Sequence, residues 1–331
     1  MAAGVIEAER QRIMTPRPEY VSVVLPVGQA LEHVRRVLFQ PIDLAKWFAI
    51  GFCAWLAELS RGGMGGGPHF NLPGGTGDLR QLGEQARDYI VGNLHWLVPV
   101  VAGVGLFVLA FWVLILWLSS RGRFMFLHCV ALNRAQVAAP WHEYAREANS
   151  LFWFRLVLGF ISLLPILPLL VVLVVGAWKQ IEGGAPSAAG ILALVGIGLL
   201  LTVVGLIFWL IGKLTTDFVV PVMYLRRSQC LSAWGSFLRL VSANSARFVL
   251  YLLFQIVLGM AIGMLVVAVI LVTCCCAGCL MAIPYVGTVV LLPVLMFHRA
   301  YTAFYLAQYG PEYNVFLTLA SPAAGQAPPN P

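Results

Sequence analysis

From Phe248 to Phe297 the chain runs fifty residues without an Asp, Glu, Lys, Arg or His. An α-helix rises about 1.5 Å per residue and a bilayer's hydrocarbon core is about 30 Å thick, so one crossing takes about 20 residues. Fifty residues therefore imply two crossings joined by a tight turn. The rest of the chain agrees: 60% of residues are hydrophobic, 11% are charged and mean hydropathy is +0.86, against roughly 25% charged in a soluble domain. This is the composition of an all-α integral membrane protein.

Apolar runs long enough to cross are Leu97 to Leu118, Leu151 to Trp178, Ala189 to Gly212, Phe248 to about Ile270, and about Gly278 to His298. A sixth, Ile42 to Leu59, has an uncharged centre of only eleven residues, Trp47 to Ala57, and crosses only if Lys46 and Glu58 reach the two interfaces. The basic residues arbitrate. Six spans with a cytoplasmic N-terminus place fourteen Lys and Arg in inner segments and four, Arg61, Arg80, Arg87 and Lys179, in outer ones. Removing the first crossing nearly equalises the sides, so the positive-inside rule predicts six spans with both termini cytoplasmic. The net charge of +7 is explained by this placement and calls for no nucleic-acid partner.

Short amphipathic helices are predicted ahead of each hairpin, lying in the inner interface. The first sets Leu31, Val34 and Leu38 against Glu32, His33, Arg35 and Arg36. The second sets Trp141, Tyr144, Ala145, Ala148 and Leu151 against His142, Glu143, Arg146 and Glu147. The third carries Leu231, Trp234, Leu238 and Val241, with Ser232 and Arg239 opposite. Trp141 and Trp234, Tyr144 and Phe237, and Arg146 and Arg239 are each 93 residues apart, while Phe124-Met-Phe and Phe218-Val-Val agree to within one residue. We therefore expect one transmembrane domain over residues 28–312, in three pseudo-repeats near 28–120, 121–215 and 216–312. Residues 1–27 and 313–331 are expected to be disordered, and Met1 to Tyr20 lacks the apolar region of a cleaved signal peptide.

Local motifs yield little chemistry. Arg61 to Gly77 is Gly-rich but lacks the Lys-Ser/Thr ending of a phosphate loop, so it reads as an outer loop, with Asp78 capping a surface helix after it. Cys274, Cys275, Cys276 and Cys279 sit at the outer turn of the last hairpin and are open to three readings: close helix packing, a disulfide, or metal binding. His142-Glu143 lacks the second histidine of a zinc protease, and no Gly-x-Ser-x-Gly elbow or intramembrane acid pair is present. Lys213 and Asp217, one turn apart, suggest a helix-closing salt bridge. Pro165, Pro168, Pro284 and Pro293 suggest kinks.

The blocks Leu38-Phe-Gln-Pro-Ile-Asp-Leu-Ala-Lys-Trp, Asn149-Ser-Leu-Phe-Trp-Phe-Arg, Phe218-Val-Val-Pro-Val-Met-Tyr-Leu-Arg and Pro284-Tyr-Val-Gly-Thr-Val-Val-Leu-Leu-Pro resemble a family of bacterial multi-pass membrane proteins with no assigned activity. That family is distantly similar to the membrane domain of some glycerophosphodiester phosphodiesterases. The resemblance covers about residues 28 to 312, implies a bacterial plasma-membrane location, and transfers no catalytic residue.

These readings converge on a non-catalytic membrane module without a cofactor, binding lipids or a membrane or cytoplasmic protein. Arg35, Arg36, Arg146, Arg226, Arg227 and Arg239 are its candidate contacts to anionic lipid. The alternatives are a permease or exporter component for an amphiphilic molecule, with the Pro-containing third and sixth spans lining the path, and an enzyme acting on lipid headgroups.

Overall fold

In the computed structural model, residues 21–61, 92–133, 137–182, 187–273, 278, 280–281 and 283–316 are described. Every regular element among them is helical. In chain order these are α1 (Leu25–Phe39), α2 (Leu44–Glu58), α3 (Leu94–Leu132), α4 (Ala138–Glu143), α5 (Ala145–Glu182) and α6 (Ala188–Leu214). A π-helical turn (Thr215–Val219) follows, then α7 (Val220–Arg226), α8 (Cys230–Ala243), α9 (Ser245–Val272), α10 (Pro284–Val290) and α11 (Leu292–Ala307).

Among the described residues four helical segments, not the expected six, are long and apolar enough to cross a membrane: His95–Leu132, Ala145–Gln180, Ala188–Arg226 and Ser245–Val272. The two expected crossings that fail do so for different reasons. The helix within Ile42 to Leu59 is α2, which has 15 residues, about 22 Å of rise and short of the hydrocarbon core. The run from Gly278 to His298 is interrupted at Leu291, giving a 7-residue α10 and a 16-residue α11. Pro284 and Pro293 each sit in the first turn of a new helix, where a missing N–H costs nothing. They restart helices instead of kinking one. By contrast α5 stays helical through Pro165 and Pro168.

The chain divides into two compact units. One comprises Gly66–Leu118 and Phe152–Leu214. Its helices are apolar on every side, the pattern of a segment whose solvent is lipid; α6 buries no residue at all. Its internal contacts are sparse and close. A Cβ on Gly159 would lie 3.2 Å from the Trp112 ring, and one on Gly176 would lie 3.0 Å from Leu194. At the α5–α6 turn, Gln180 Oε1 accepts the N–H of Ser187 at 3.1 Å and Ser187 Oγ accepts that of Gly190 at 3.1 Å, an N-terminal cap for α6.

The other unit comprises Met1–Gly65, Ser119–Leu151 and Thr215–Pro331, and it holds the core. α2 packs on the Ser119–Leu132 part of α3, where a Cβ on Gly122 would fall 2.6 Å from the backbone of Leu56 and Ala57. The same approach brings the buried thiols of Cys53 and Cys129 to 3.8 Å and lets Ser119 Oγ donate to the carbonyl of Ala57 at 2.9 Å. An aromatic cluster joins the π turn to α8, α9 and α11: Phe218 stacks on Phe237 at 5.1 Å and lies 4.9 Å from Tyr251, itself 4.6 Å from Tyr305. Rings at this spacing gain about 0.5–1.5 kcal/mol each beyond their buried area. Both ends of the described chain are strapped together. Ser22 N–H donates to Gln308 Oε1 at 2.8 Å, Gln308 Nε2 donates to Ser22 O at 2.9 Å, and Tyr301 Oη donates to Val23 O at 3.0 Å.

The apolar faces expected to lie in the interface are only in part covered by protein. α1 buries Ala30, Val34, Val37 and Leu38 but leaves Leu31 63% exposed. α8 buries Cys230, Ala233 and Phe237 and presents Leu231 and Leu238, 75% and 54% exposed. On the second helix Tyr144, Ala148 and Leu151 are buried as the pattern predicts, although Tyr144 separates α4 from α5.

Replacing Gly122 with Val drives a side chain into the α2 backbone, an overpacking cost of about 1–3 kcal/mol or more. Gly105→Val, with open space around its Cβ, is the matched control. Melting in detergent is expected to show a marked loss for the first and little change for the second. His33 supplies a pH test. Its Nε2 donates to Val130 O at 2.8 Å and its ring lies 5.0 Å from Phe316; burial lowers its pKa, opposed by that hydrogen bond. The folded state prefers neutral His33, so its stability is complete above the ordinary histidine pKa. Stability falls as pH drops from there through the lowered folded-state value. Melts from pH 8 to 5 are expected to show this loss in wild type and a smaller one in His33→Gln.

Candidate functional site

The densest buried polar chemistry gathers around the π turn. Pro221 explains why that turn exists. Lacking an N–H and clashing with the carbonyl four residues back, a proline inside a helix dislodges the ordinary ladder. In the π register the carbonyl of Thr216 faces residue 221, which has no proton to give. Arg299, from α11, donates Nη1 to that carbonyl at 2.7 Å. Arg123, from α3, donates Nη1 to Thr216 Oγ1 at 2.6 Å. The guanidinium groups of two helices thus converge on one residue of a third.

The network continues through α9. Tyr251 Oη donates to Asp217 Oδ2 at 3.4 Å, lies 3.1 Å from Thr302 Oγ1, and accepts from Gln255 Nε2 at 3.0 Å. Thr302 Oγ1 donates onward to His298 O at 3.0 Å. Arg123 and Arg299 are only 4% and 7% exposed. Burying such cations costs several kcal/mol each unless hydrogen bonds and countercharge compensate, and the carbonyl and hydroxyl of Thr216 supply hydrogen bonds to them. The cluster holds cations, hydroxyls, a carboxamide and one carboxylate. Its chemistry is that of a clamp on α3, the π turn, α9 and α11. Among the described residues no group of three His, Cys, Asp or Glu is arranged to hold a metal ion.

A second cluster lies where α4, α5 and α7 meet. Tyr144 stacks on Tyr224 at 4.6 Å, His128 Nδ1 lies 3.0 Å from Tyr224 Oη, and the Arg227 guanidinium sits 3.9 Å above the Tyr144 ring. Arg227 also pairs with the Glu143 carboxylate and donates to the Glu143 carbonyl at 3.0 Å. Burial raises the pKa of Tyr144.

The six arginines singled out from the sequence divide by environment. Arg35 and Arg36 are exposed on α1, with Arg36 3.7 Å from Glu32. Arg146 is exposed in the first turn of α5, and Arg239 is exposed on α8 with Nε donating to Gly235 O at 3.4 Å. Arg226 donates to Ser236 Oγ at 3.3 Å and lies 5.0 Å over Tyr313. Arg227 is committed to Glu143 and Tyr144. Asp217 receives Tyr251. Cys274, Cys275, Cys276 and Cys279, like residues 62–77 of the Arg61 to Gly77 loop and the helix expected after Asp78, lie outside the described residues; Cys53, Cys129 and Cys230 are buried and in the thiol form.

Sequence reasoning passed over Arg123 and Arg299 by counting them as cations of loops and span ends. One signal was available. The offset of 94 that aligns Phe124 with Phe218 also aligns Arg123 with Asp217. It further aligns Asn133 with Arg227, left-handed residues at φ 54° and 49° that follow α3 and α7.

If the cluster is a clamp, removing one partner leaves buried groups uncompensated. Arg299→Met strands the Thr216 carbonyl and is expected to cost about 1–3 kcal/mol. Arg299→Lys should recover only part of this, because a compact ammonium cannot reproduce the planar fork. Denaturant unfolding in bicelles reads both; unchanged midpoints would remove the clamp's energetic role.

Comparison with curated proteins and with solved structures returns no match. A family model does match, over residues 21–322, which takes in all the clamp residues and the paired ends of the chain. The chain belongs to the family of unknown function DUF7544.

Proposed function

We propose that this chain is a non-catalytic module of the bacterial plasma membrane, a helical scaffold that grips anionic lipid on its cytoplasmic side and offers that side to a partner protein. The observation that carries the reading is the junction between α8 and α9. α8 ends at Ala243 and the span begins at Ser245, so a helix presenting Leu231, Leu238 and Arg239 outward ends two residues from the bilayer entry. An apolar stripe flanked by arginine is the composition of a helix seated among headgroups.

The distribution of charge supports the same orientation. Between His95 and Val272, Arg121, Arg123, Arg146, Arg155, Lys213, Arg226, Arg227, Arg239 and Arg247 fall at one set of span ends, and among the described residues of that stretch Lys179 falls at the other. Basic residues accumulate on the cytoplasmic side. The bond from Arg299 of α11 to Thr216 and the strap between Ser22 and Gln308 favour placing α1 and α11 with those basic ends. The likeness to a phosphodiesterase membrane domain fits a module that positions something else; no catalytic residue comes with it.

Each exposed arginine near an anionic surface is worth about 1 kcal/mol. The triple variant Arg35→Gln, Arg146→Gln, Arg239→Gln is expected to keep its melting temperature in neutral detergent. It should lose most of its enrichment of phosphatidylglycerol over phosphatidylcholine when copurified lipids are quantified by mass spectrometry. Unchanged enrichment would sink the reading.

A further inference from the structure

The start of α2 borders a hollow of about 420 Å³ lined by Asp43, Ala45, Lys46, Ala49 and Asn133, within the range of small-ligand sites. Its polar groups are held in place. Asp43 Oδ1 accepts the N–H groups of Ala45 at 2.9 Å and Lys46 at 3.3 Å, capping α2. That leaves the second carboxylate oxygen outside the cap. Lys46 Nζ donates to Val37 O at 2.8 Å and to Asn133 Oδ1 at 2.7 Å. An ammonium has three protons, so one donor remains beyond these two anchors. Asn133, left-handed at φ 54°, spends its oxygen on Lys46 and keeps its amide protons. The hollow therefore offers a cationic donor, an amide donor and a carboxylate acceptor, with no net charge.

Its surroundings are apolar and unburied. Phe39, Ile42, Leu44 and Phe48, beside the lining residues in sequence, are 45%, 67%, 68% and 46% exposed. A water-facing surface has no reason to expose four large apolar side chains within a few residues of a charged notch. A surface at the boundary of headgroup and acyl chain does.

We infer that this hollow binds the headgroup of an aminophospholipid. A phosphate oxygen accepts from Lys46 Nζ and the Asn133 amide, the primary ammonium donates to the Asp43 carboxylate, and the acyl chains lie along Phe39, Ile42, Leu44 and Phe48. A zwitterionic ligand matches a site whose own charges cancel; a purely anionic one leaves Asp43 facing a like charge. The inference shares only the membrane setting with the proposed function and uses none of its arginines.

The test titrates full-length, delipidated protein in detergent by native mass spectrometry. The probes are phosphatidylethanolamine, phosphatidylcholine, phosphatidylglycerol, soluble glycerophosphoethanolamine and inorganic phosphate. One charge-assisted hydrogen bond corresponds to about tenfold in affinity. Wild type is expected to bind phosphatidylethanolamine about tenfold tighter than phosphatidylcholine, whose methylated nitrogen has no proton for Asp43. Asp43→Ser retains a capping side chain and is expected to erase that preference. Asn133→Gly tolerates the left-handed backbone and is expected to weaken all three lipids. Equal affinity of wild type for the two zwitterionic lipids, or a preference that survives Asp43→Ser, overturns the site. Glycerophosphoethanolamine or phosphate binding as tightly as the lipid overturns the lipid as its source. Loss of phosphatidylglycerol enrichment in the arginine variant leaves each of these outcomes unchanged, so the two proposals fail separately.

Discussion

A single carbonyl oxygen organises the packed unit of this protein. Pro221 deprives Thr216 of the N–H that the π turn would bring to it, and Arg299 fills the vacancy from another helix. An unpaired carbonyl in a low-dielectric interior costs a few kcal/mol. Meeting that cost with a guanidinium buries a cation, and a second, Arg123, is held beside it on Thr216 Oγ1, while the neighbouring Asp217 takes the hydroxyl of Tyr251, itself met by Gln255. Each element is expensive alone and acceptable together. That interdependence fixes the relative register of α3, the π turn, α9 and α11 more narrowly than apolar packing would, since apolar side chains tolerate sliding.

The two units obtain their stability from different sources. In the unit of Gly66–Leu118 and Phe152–Leu214, side chains such as Leu106, Phe107, Leu164 and Leu192 are about 70% exposed. No described residue covers them, the pattern of helices whose solvent is lipid; the association of such helices relies on close small-residue contacts, here Gly159 with Trp112 and Gly176 with Leu194. In the other unit the helices are tied by aromatic stacking, the Gly122 approach and buried polar chemistry. The positions with the strongest physical demands, Gly122, Thr216, Pro221 and Arg299, all lie in this second unit.

Much of the architecture was legible because lipid imposes a length and a polarity that a sequence cannot disguise. Leu97 to Leu118, Leu151 to Trp178, Ala189 to Gly212 and Phe248 to Ile270 each coincide with a long apolar helix. The remaining two apolar runs misled for a physical reason. Hydropathy reports that a segment avoids water, and α2 and α10 avoid it by packing against protein: Val289 of α10 would lie 2.7 Å from a Cβ on Gly51 of α2. α8 carries two apolar stripes, and the sequence pattern named only one of them. Its stripe Leu231, Trp234, Leu238, Val241 and its stripe Cys230, Ala233, Phe237 are both apolar, and only the position of neighbouring helices decides which one is buried.

What the sequence alone determined is the membrane setting, the helical class, four of the crossings and the basic bias at one set of their ends, because each follows from local composition measured against a slab of known thickness. What only tertiary structure decided is which charges face inward. Arg123 and Arg299 look in sequence like any other arginine at the end of an apolar run. Arg146 and Arg239 share that appearance, yet the first pair is sealed among α3, α11 and the π turn while the second pair is exposed. The difference arises from a missing proton on Pro221 and from helices far apart in the chain, and no window along the sequence contains both.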